Sequence, residues 1–177
     1  FDINTNLDAN LNQLDRDTER KRFGVGASFI PRGFRNWDLN VAYQHETKEG
    51  VNATGGAMGG TFPGFTSPTT AAILPGSIDY VTDNVDLSLG YAKDTTQLKF
   101  AYHMSLFDNQ DRSLNWQDPF ETTRIGSLAQ APRNQFHQLT ATGGYQLPYN
   151  SRLTGVLSVG RMTQDWNFQQ YATAAPG

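Results

Sequence analysis

The stretch from Gln97 to Leu106 alternates strictly between polar or small residues and apolar ones. An alternation with a period of two is typical of a β-strand, because successive side chains point to opposite faces. Here one face holds only apolar side chains, while the other carries Lys99 and His103. Any fold for this chain must therefore give one strand an apolar environment on one side and a polar environment on the other.

The same alternation recurs along the chain, and helical periodicity is nearly absent. Short connections follow the second, fourth and sixth strands, and long connections follow the third, fifth and seventh. Outer-membrane barrels sort their connections in this way, whereas a soluble β-sandwich has no reason to do so. A charged segment, residues 15–22, is predicted as the turn after the first strand. The seven predicted strands lie at about residues 3–12, 23–29, 37–44, 85–91, 97–106, 138–145 and 153–160.

The composition excludes several classes of function. The chain of 177 residues has no cysteine, which excludes disulfides, thiolate metal sites and the Cys-x-x-Cys-His attachment of c-type haem on this chain. Its net charge of -3 and the lack of a basic stripe argue against nucleic-acid binding. A polar average composition fits either a soluble β-protein or a transmembrane β-barrel, because only alternate residues of a barrel face lipid.

Aromatic residues lie mostly near the ends of the predicted strands, as in the aromatic girdles at the two interfaces of a membrane barrel. Together with the sorted loops and the polar second face, they favour an all-β fold, a transmembrane antiparallel up-and-down β-barrel. The aromatic residues concerned are Trp37, Tyr43, Tyr80, Tyr91, Phe107, Trp116, Phe136, Tyr145 and Tyr149.

An odd number of strands indicates a section of a larger barrel. Bacterial single-chain barrels usually close with an even number, and an open barrel would leave unpaired backbone groups in lipid at several kcal/mol each. The chain also starts inside an alternating pattern and lacks a terminal aromatic strand. We therefore expect residues 1–177 to be an internal section of a single outer-membrane β-barrel domain. Long extracellular loops are expected at about residues 46–77, 108–134 and 163–177.

The parity of each strand predicts which residues face the lumen and which face lipid. The candidate lumen-facing or partner-facing residues are Asn40, Gln44, Ser88, Lys99, His103, Gln138 and Thr140. The candidate lipid-facing residues are Leu87, Leu89, Leu98, Phe100, Tyr102, Met104, Leu139 and Leu157.

No residue is predicted to be catalytic, to bind a cofactor or to ligate a metal. The histidines have no metal-site spacing, and no Ser-His-Asp or paired-carboxylate arrangement stands out, so the chain is not expected to be an enzyme. Asp108, Asn109 and Asp111 form an oxygen-rich cluster of the kind that calcium prefers, but the full calcium-loop pattern is absent. A turn at the strand end is the favoured interpretation, and calcium binding by the loops stays open.

Several segments together resemble a known family, the decahaem-associated outer-membrane β-barrel family of the MtrB/PioB type. The resemblance covers most of the chain, from about Trp37 to Trp166, in the same order and with similar spacing. The segments that carry it are YQHETKEG (43–50), LPGSIDYVTD (74–83), FDNQDRSLNWQDPF (107–120), APRNQFHQLTATGGYQLP (131–148) and RLTGVLSVGRMTQD (152–165).

The resemblance implies a porin-like sheath in the bacterial outer membrane. Such a barrel encloses a periplasmic multihaem cytochrome c, and an extracellular multihaem cytochrome often docks on it, so that electrons pass across the membrane from haem to haem. Haem c is then expected on the partner cytochromes, and the barrel itself holds no cofactor. Two alternatives stay open: an ordinary solute-diffusion porin, and a soluble β-domain that binds through its loops.

Overall fold

The computed structural model describes residues 17–58, 61–62, 65–66, 70–117 and 125–165. Within these residues every regular element is a β-strand, and no helix there is long and apolar enough to cross a membrane. The strands are β1 (Thr18–Phe29), β2 (Trp37–Met58), β3 (Thr61–Phe62), β4 (Phe65–Thr66), β5 (Thr70–Lys93), β6 (Thr96–Asn109), β7 (Ser113–Gln117), β8 (Ile125–Ala129), β9 (Asn134–Leu147) and β10 (Ser151–Gln164).

Six of these strands form one antiparallel sheet in the order β1-β2-β5-β6-β9-β10. Short turns at residues 30–36, 94–95 and 148–150 join the strands at one end of the sheet, and the longer connections lie at the other end. At the 148–150 turn, Tyr149 and Asn150 both have positive φ, at 64° and 57°. The predicted sorting is therefore confirmed for the connections after the second to sixth predicted strands, and so is the all-β antiparallel fold. The connection after the seventh lies largely outside the described residues.

The six-stranded sheet is open within the described part of the chain, because its edge strands β1 and β10 do not pair with each other. Unpaired backbone groups in lipid cost several kcal/mol each. The described strands therefore do not close a barrel by themselves, which is consistent with the expected section of a larger one. The first predicted strand, residues 3–12, lies outside the described residues.

The sheet has two chemically distinct faces, which the pairing register defines. Residues directly opposite each other in an antiparallel pair share a face. One row across all six strands, which marks the leucine face, holds Phe29, Leu39, Leu89, Phe100, Ala141 and Leu157. The neighbouring row, which marks the serine face, holds Ser28, Asn40, Ser88, Ala101, Thr140 and Ser158.

The segment predicted as a long loop at 46–77 is mostly strand. β2 continues to Met58 and β5 begins at Thr70, and the two remain paired throughout. The Gly, Thr and Pro residues that suggested a loop stand in a continuous ladder, where cross-strand backbone hydrogen bonds stabilise them despite their low strand propensity. The expectation of an irregular loop here is wrong, while its extracellular location stays a prediction.

The other predicted connections also differ locally from expectation. β1 begins at Thr18 rather than after a turn at 15–22. In the segment 108–134, β6 extends to Asn109, β9 begins at Asn134, and β7 pairs with β8 in a hairpin between them. β10 extends to Gln164, and residues 166–177 of the third predicted loop lie outside the described residues.

The β7–β8 hairpin covers the serine face of the long β2–β5 hairpin. Leu74, which is 9% exposed, lies there beside Gly56, and the indole of Trp116 lies over the same glycine. Ile78, on the same face of β5, is 7% exposed. Elsewhere the described sheet buries almost no apolar side chain. Its packing therefore depends on what contacts each face from outside these residues.

Candidate functional site

The serine face carries a layer of polar side chains, several of which are hydrogen-bonded to one another across neighbouring strands. Asn40 Nδ2 donates to Asp38 Oδ2 at 2.8 Å and to Ser88 Oγ at 3.4 Å. Gln138 Nε2 donates to Ser158 Oγ at 2.6 Å, and Thr140 lies 3.2 Å from the same oxygen. These short side chains pair across neighbouring strands. The serine face is therefore polar, and its side chains project only a short distance from the backbone.

Charged and titratable side chains lie among the polar residues of this layer. His103 Nδ1 lies 2.7 Å from Asp86 Oδ1, directly across the β5–β6 pair. Arg152 reaches across the sheet and donates to Gln97 Oε1 at 2.6 Å. A cavity of about 210 Å³ opens on this face between Asn40, Asp86, Ser88, Lys99, His103 and Thr140.

All seven residues predicted to face the lumen or a partner lie on the serine face, by register and parity. Five of them line the 210 Å³ cavity; Gln138 lies directly opposite His103 of the cavity wall, and Gln44 lies in the next row. The eight residues predicted to face lipid all lie on the leucine face. The structure thus groups each set as the sequence did, and which set faces lipid stays a prediction.

The leucine face has an apolar band with aromatic residues at both ends. At the short-turn end, the rings of Trp37 and Tyr91 lie 4.8 Å apart. Between the ends, the stretch Leu98–Leu106 of β6 matches the length of about 9–11 residues that a tilted transmembrane strand needs. A shallow groove of about 330 Å³ crosses the band between leucine, phenylalanine and tyrosine side chains.

At the long-loop end of the band, tyrosine hydroxyls meet polar groups. Tyr43 Oη donates to Asp83 Oδ1 at 2.6 Å, and His45 Nδ1 lies 2.8 Å from the same carboxylate oxygen. Tyr102 Oη lies 2.8 Å from His137 Nδ1. Rings that are apolar at one end and hydrogen-bonded at the other are typical of membrane interfaces.

Beyond the band, Glu46 on the serine face is held by two arginines of β1. Arg22 donates to Glu46 through Nε at 2.8 Å and through Nη2 at 2.6 Å, and Arg20 Nε lies 3.2 Å away. The hydrogen bonds from Arg22 hold the pKa of Glu46 below its usual value of 4.5, and the charge of Arg20 adds to the effect. Lys48, the next residue of β2 on this face, adds a further positive charge.

Sequence reasoning missed a set of large apolar side chains on the serine face near the long loops. They lie at the same parity as the polar layer, so the alternation along each strand was a signal that they occupy the serine face. The sequence prediction used these aromatic residues only as markers of strand ends. Tyr80 and Phe107 pack at 5.2 Å with their rings at 62°. The set consists of Tyr80, Phe107, Phe136 and Met162, and polar residues stand among them: Asn134 lies directly opposite Phe107, and Ser105 lies directly opposite Phe136.

The oxygen-rich segment at 108–111 makes structural contacts. Both carboxylate oxygens of Asp108 accept hydrogen bonds from Arg133, at 2.8 and 3.1 Å. Asn109 is 2% exposed, donates to the carbonyl oxygen of Ala131 and accepts from the backbone N–H of Asp111. Across the residues that the structure describes, no three His, Asp or Glu side chains are grouped so that they could hold a metal ion.

Comparison with known proteins gives two findings. A model of the outer membrane beta-barrel porin family MtrB/PioB matches residues 2–177. The chain is also similar to Outer membrane protein MtrB of Shewanella baltica (strain OS185), with 30% identity over 159 residues. That alignment covers 88% of this chain and 21% of the relative, so the chain spans about one fifth of the length of the curated relative that it matches.

Proposed function

Because the chain belongs to the outer membrane β-barrel porin family MtrB/PioB, we propose that it forms a wall section of a sheath around a periplasmic multihaem cytochrome c. The sheath insulates the haem chain from lipid and positions its two ends, so that electrons cross the outer membrane to the outside. A second multihaem cytochrome, docked at the extracellular end, is a further expected partner. The barrel itself carries out no chemical step.

Family membership also establishes the location and the general architecture of the chain. The chain is part of an outer-membrane β-barrel. The alternative of a soluble β-domain is therefore wrong. The ordinary solute-diffusion porin is the rival that an experiment must separate from the sheath.

The observation that carries the proposal is the pair of adjacent rows across the sheet. In the proposed sheath, the row from Phe29 to Leu157 faces lipid and the row from Ser28 to Ser158 faces the lumen. A cytochrome surface is polar and cannot lie in hydrocarbon, where each unsatisfied polar group costs several kcal/mol. A wall that is apolar outside and lined inside by serine, threonine, asparagine and small residues meets both requirements.

The short side chains of the serine face favour a protein occupant over free water. Ala42, Ala101 and Gly160 alternate there with serine and threonine, so a folded partner can approach the backbone closely. Asp86 is paired with His103, and Asp38 and Arg152 are hydrogen-bonded to the neutral side chains of Asn40 and Gln97. A strongly charged ring of the kind that selects small ions in a pore is not formed by the described residues.

Copurification and conductance separate the sheath from the porin. The native protein, extracted in mild detergent, should bring with it a chain that has many Cys-x-x-Cys-His motifs. The purified complex, inserted in a planar bilayer, should conduct ions poorly because the lumen is filled. If the channel conducts ions freely and no chain with Cys-x-x-Cys-His motifs copurifies, the protein is a solute-diffusion porin and the sheath proposal is wrong.

A further inference from the structure

The groove on the leucine face lies where a small side chain stands between larger ones. Ala141 of β9 is directly opposite Phe100 of β6 and Leu157 of β10, and all three line the groove. The groove has a volume of about 330 Å³ and almost wholly apolar walls. Sites that hold small molecules usually have volumes of about 300–1,000 Å³. The groove therefore has the size and the chemistry of a site for a hydrocarbon chain.

A cation stands at the long-loop end of this groove. On the leucine face of β10, the apolar run ends at Val159, which lines the groove, and the next residue on that face is Arg161. Successive residues on one face of a strand are about 7 Å apart. An arginine side chain has a long flexible stem that lies along apolar surface while its guanidinium reaches polar groups. Arg161 is exposed, so its guanidinium is available at the end of the groove.

A histidine and a tyrosine connect the groove to this cation. His137 of β9 stands directly opposite Arg161, and its Nδ1 lies 2.8 Å from Oη of Tyr102. Tyr102 also lines the groove, so its ring belongs to the apolar wall and its hydroxyl to the polar end. The end of the groove thus combines a guanidinium and an imidazole, both of which can donate hydrogen bonds to an anion.

Arg161 has no carboxylate partner among the residues that the structure describes. Farther toward the long-loop end of the same face, Asp83 is already bonded to Tyr43, and Asp108 is bonded to Arg133. A further strand of the barrel would lie beside β10 in the plane of the sheet, so it would leave the face of the groove open. A guanidinium at the edge of an apolar surface matches a phosphate, which it can bind through two parallel hydrogen bonds.

We propose that the groove and Arg161 form a binding site for one phosphate-bearing lipid of the outer membrane, with an acyl chain in the groove and the phosphate on Arg161 beside His137. The lipid belongs to the outer leaflet, because the long loops of an outer-membrane barrel are extracellular. The inference rests on one part of the proposed function, the assignment of the leucine face to the lipid side. It does not depend on the cytochrome, since a solute-diffusion porin would turn the same face outward.

Lipid retention by the whole native protein tests the phosphate contact. The protein is purified in mild detergent and incubated with lipid A, or with the same lipid A after removal of its phosphates, and bound lipid is counted by mass spectrometry after size-exclusion chromatography. The wild type should retain the phosphorylated form about tenfold better, the value of one charged hydrogen bond. Arg161→Gln should abolish this preference. Arg152→Gln is the matched control, since Arg152 lies on the same strand but on the serine face.

Filling the groove tests the acyl-chain contact. Ala141→Phe places a ring in the groove, and it should lower the retention of both forms of lipid A several-fold. Ala27→Phe is the matched control, because Ala27 lies on the leucine face of β1 and does not line the groove. An added apolar ring suits the outward band of a barrel, so both variants should fold.

The outcomes separate a lipid from a free phosphate ion. Equal retention of phosphorylated lipid A by the wild type, Arg161→Gln and Ala141→Phe would overturn the site. Displacement of lipid A by inorganic phosphate alone, together with normal retention in Ala141→Phe, would show that the site binds the ion and would overturn the lipid assignment.

The haem content of the same samples distinguishes this inference from the proposed sheath. A haem-containing complex with no preference for phosphorylated lipid A would overturn the lipid site and leave the sheath intact. A barrel without haem that retains lipid A as expected would support the lipid site and overturn the sheath.

Discussion

The indole of Trp116 in β7 lies against Gly56 in β2, and Gly126 stands directly opposite it in β8. A Cβ on Gly56 would lie 3.1 Å from the indole, and one on Gly126 would overlap the ring. Both glycines are thus needed for the close approach that lays the β7–β8 hairpin on the serine face of the long β2–β5 hairpin.

Gly126→Val should loosen the hairpin, because the added side chain displaces Trp116 from its contact with Gly56. Overpacking of this kind typically costs about 1–3 kcal/mol. Limited proteolysis of intact outer membranes should cleave the variant faster than the wild type near the hairpin. Gly55→Val is the matched control, since nothing lies within 4 Å of a Cβ at Gly55. Equal cleavage rates in the two variants would show that Trp116 does not hold the hairpin.

The assignment of faces predicts opposite results for neighbouring substitutions in β5. Leu89→Arg places a charge on the proposed lipid-facing side and should destabilise the barrel by about 2–4 kcal/mol near the midplane of the bilayer. Ser88→Arg, one residue away, points to the proposed lumen and should cost much less. Denaturant unfolding of the protein refolded in lipid bilayers measures both. A larger loss from Ser88→Arg would reverse the two faces.

Asn109 should be important for the start of the 110–133 connection. Its side chain is 2% exposed and serves both the carbonyl oxygen of Ala131 and the backbone N–H of Asp111. Asn109→Ala removes the partner of both part-buried groups, at a cost of about 1 kcal/mol for each lost hydrogen bond. Hydrogen exchange of the Asp111 amide should become faster. Gln110→Ala, at an exposed site, serves as the control, and unchanged exchange in Asn109→Ala would contradict the role.

The ion pair of Glu46 should make the stability of the fold depend on pH. Its folded-state pKa is depressed, mainly by the hydrogen bonds from Arg22. The ion pair therefore stabilises the fold above the usual pKa of 4.5, and this stabilisation is lost as the pH falls through the lowered folded value. The thermal midpoint of the wild type should exceed that of Glu46→Gln at neutral pH, and the difference should shrink in acid. A difference that stays constant down to pH values below the folded pKa would refute the pairing.

Alternation along single strands was enough to predict the faces of the sheet. In β6, the period of two from Leu98 to Leu106 is a local property, because neighbouring side chains must point to opposite sides. The register then places Phe100 beside Leu89 and Ala141, as the parity of those strands implied. The sorting of short and long connections was equally local, since turn residues such as Pro148 and Asn150 mark the hairpin ends.

The features that the sequence did not predict depend on pairing between distant residues. Residues 46–58 and 70–77 have the composition of a loop, and only their mutual ladder makes them strands. The segment 15–22 was predicted to be a charged turn because its composition alone gives no sign of strand pairing. The residue that pairs with Arg22 is Glu46 of β2, which is remote in sequence. Trp116 lies in the segment 108–134 that was expected to be a loop, and its packing over Gly56 follows from the tertiary fold rather than from its neighbours in sequence.

The haem content of the native complex tests the central claim most directly. The protein is extracted from outer membranes in mild detergent without chemical crosslinking, and the Soret absorbance is measured per barrel after size-exclusion chromatography. A sheath around a multihaem cytochrome should give several haems for each barrel, eluting with it as a single species, although this chain has no cysteine with which to attach haem itself. A monodisperse, folded barrel without Soret absorbance would contradict the claim that this wall encloses a multihaem cytochrome.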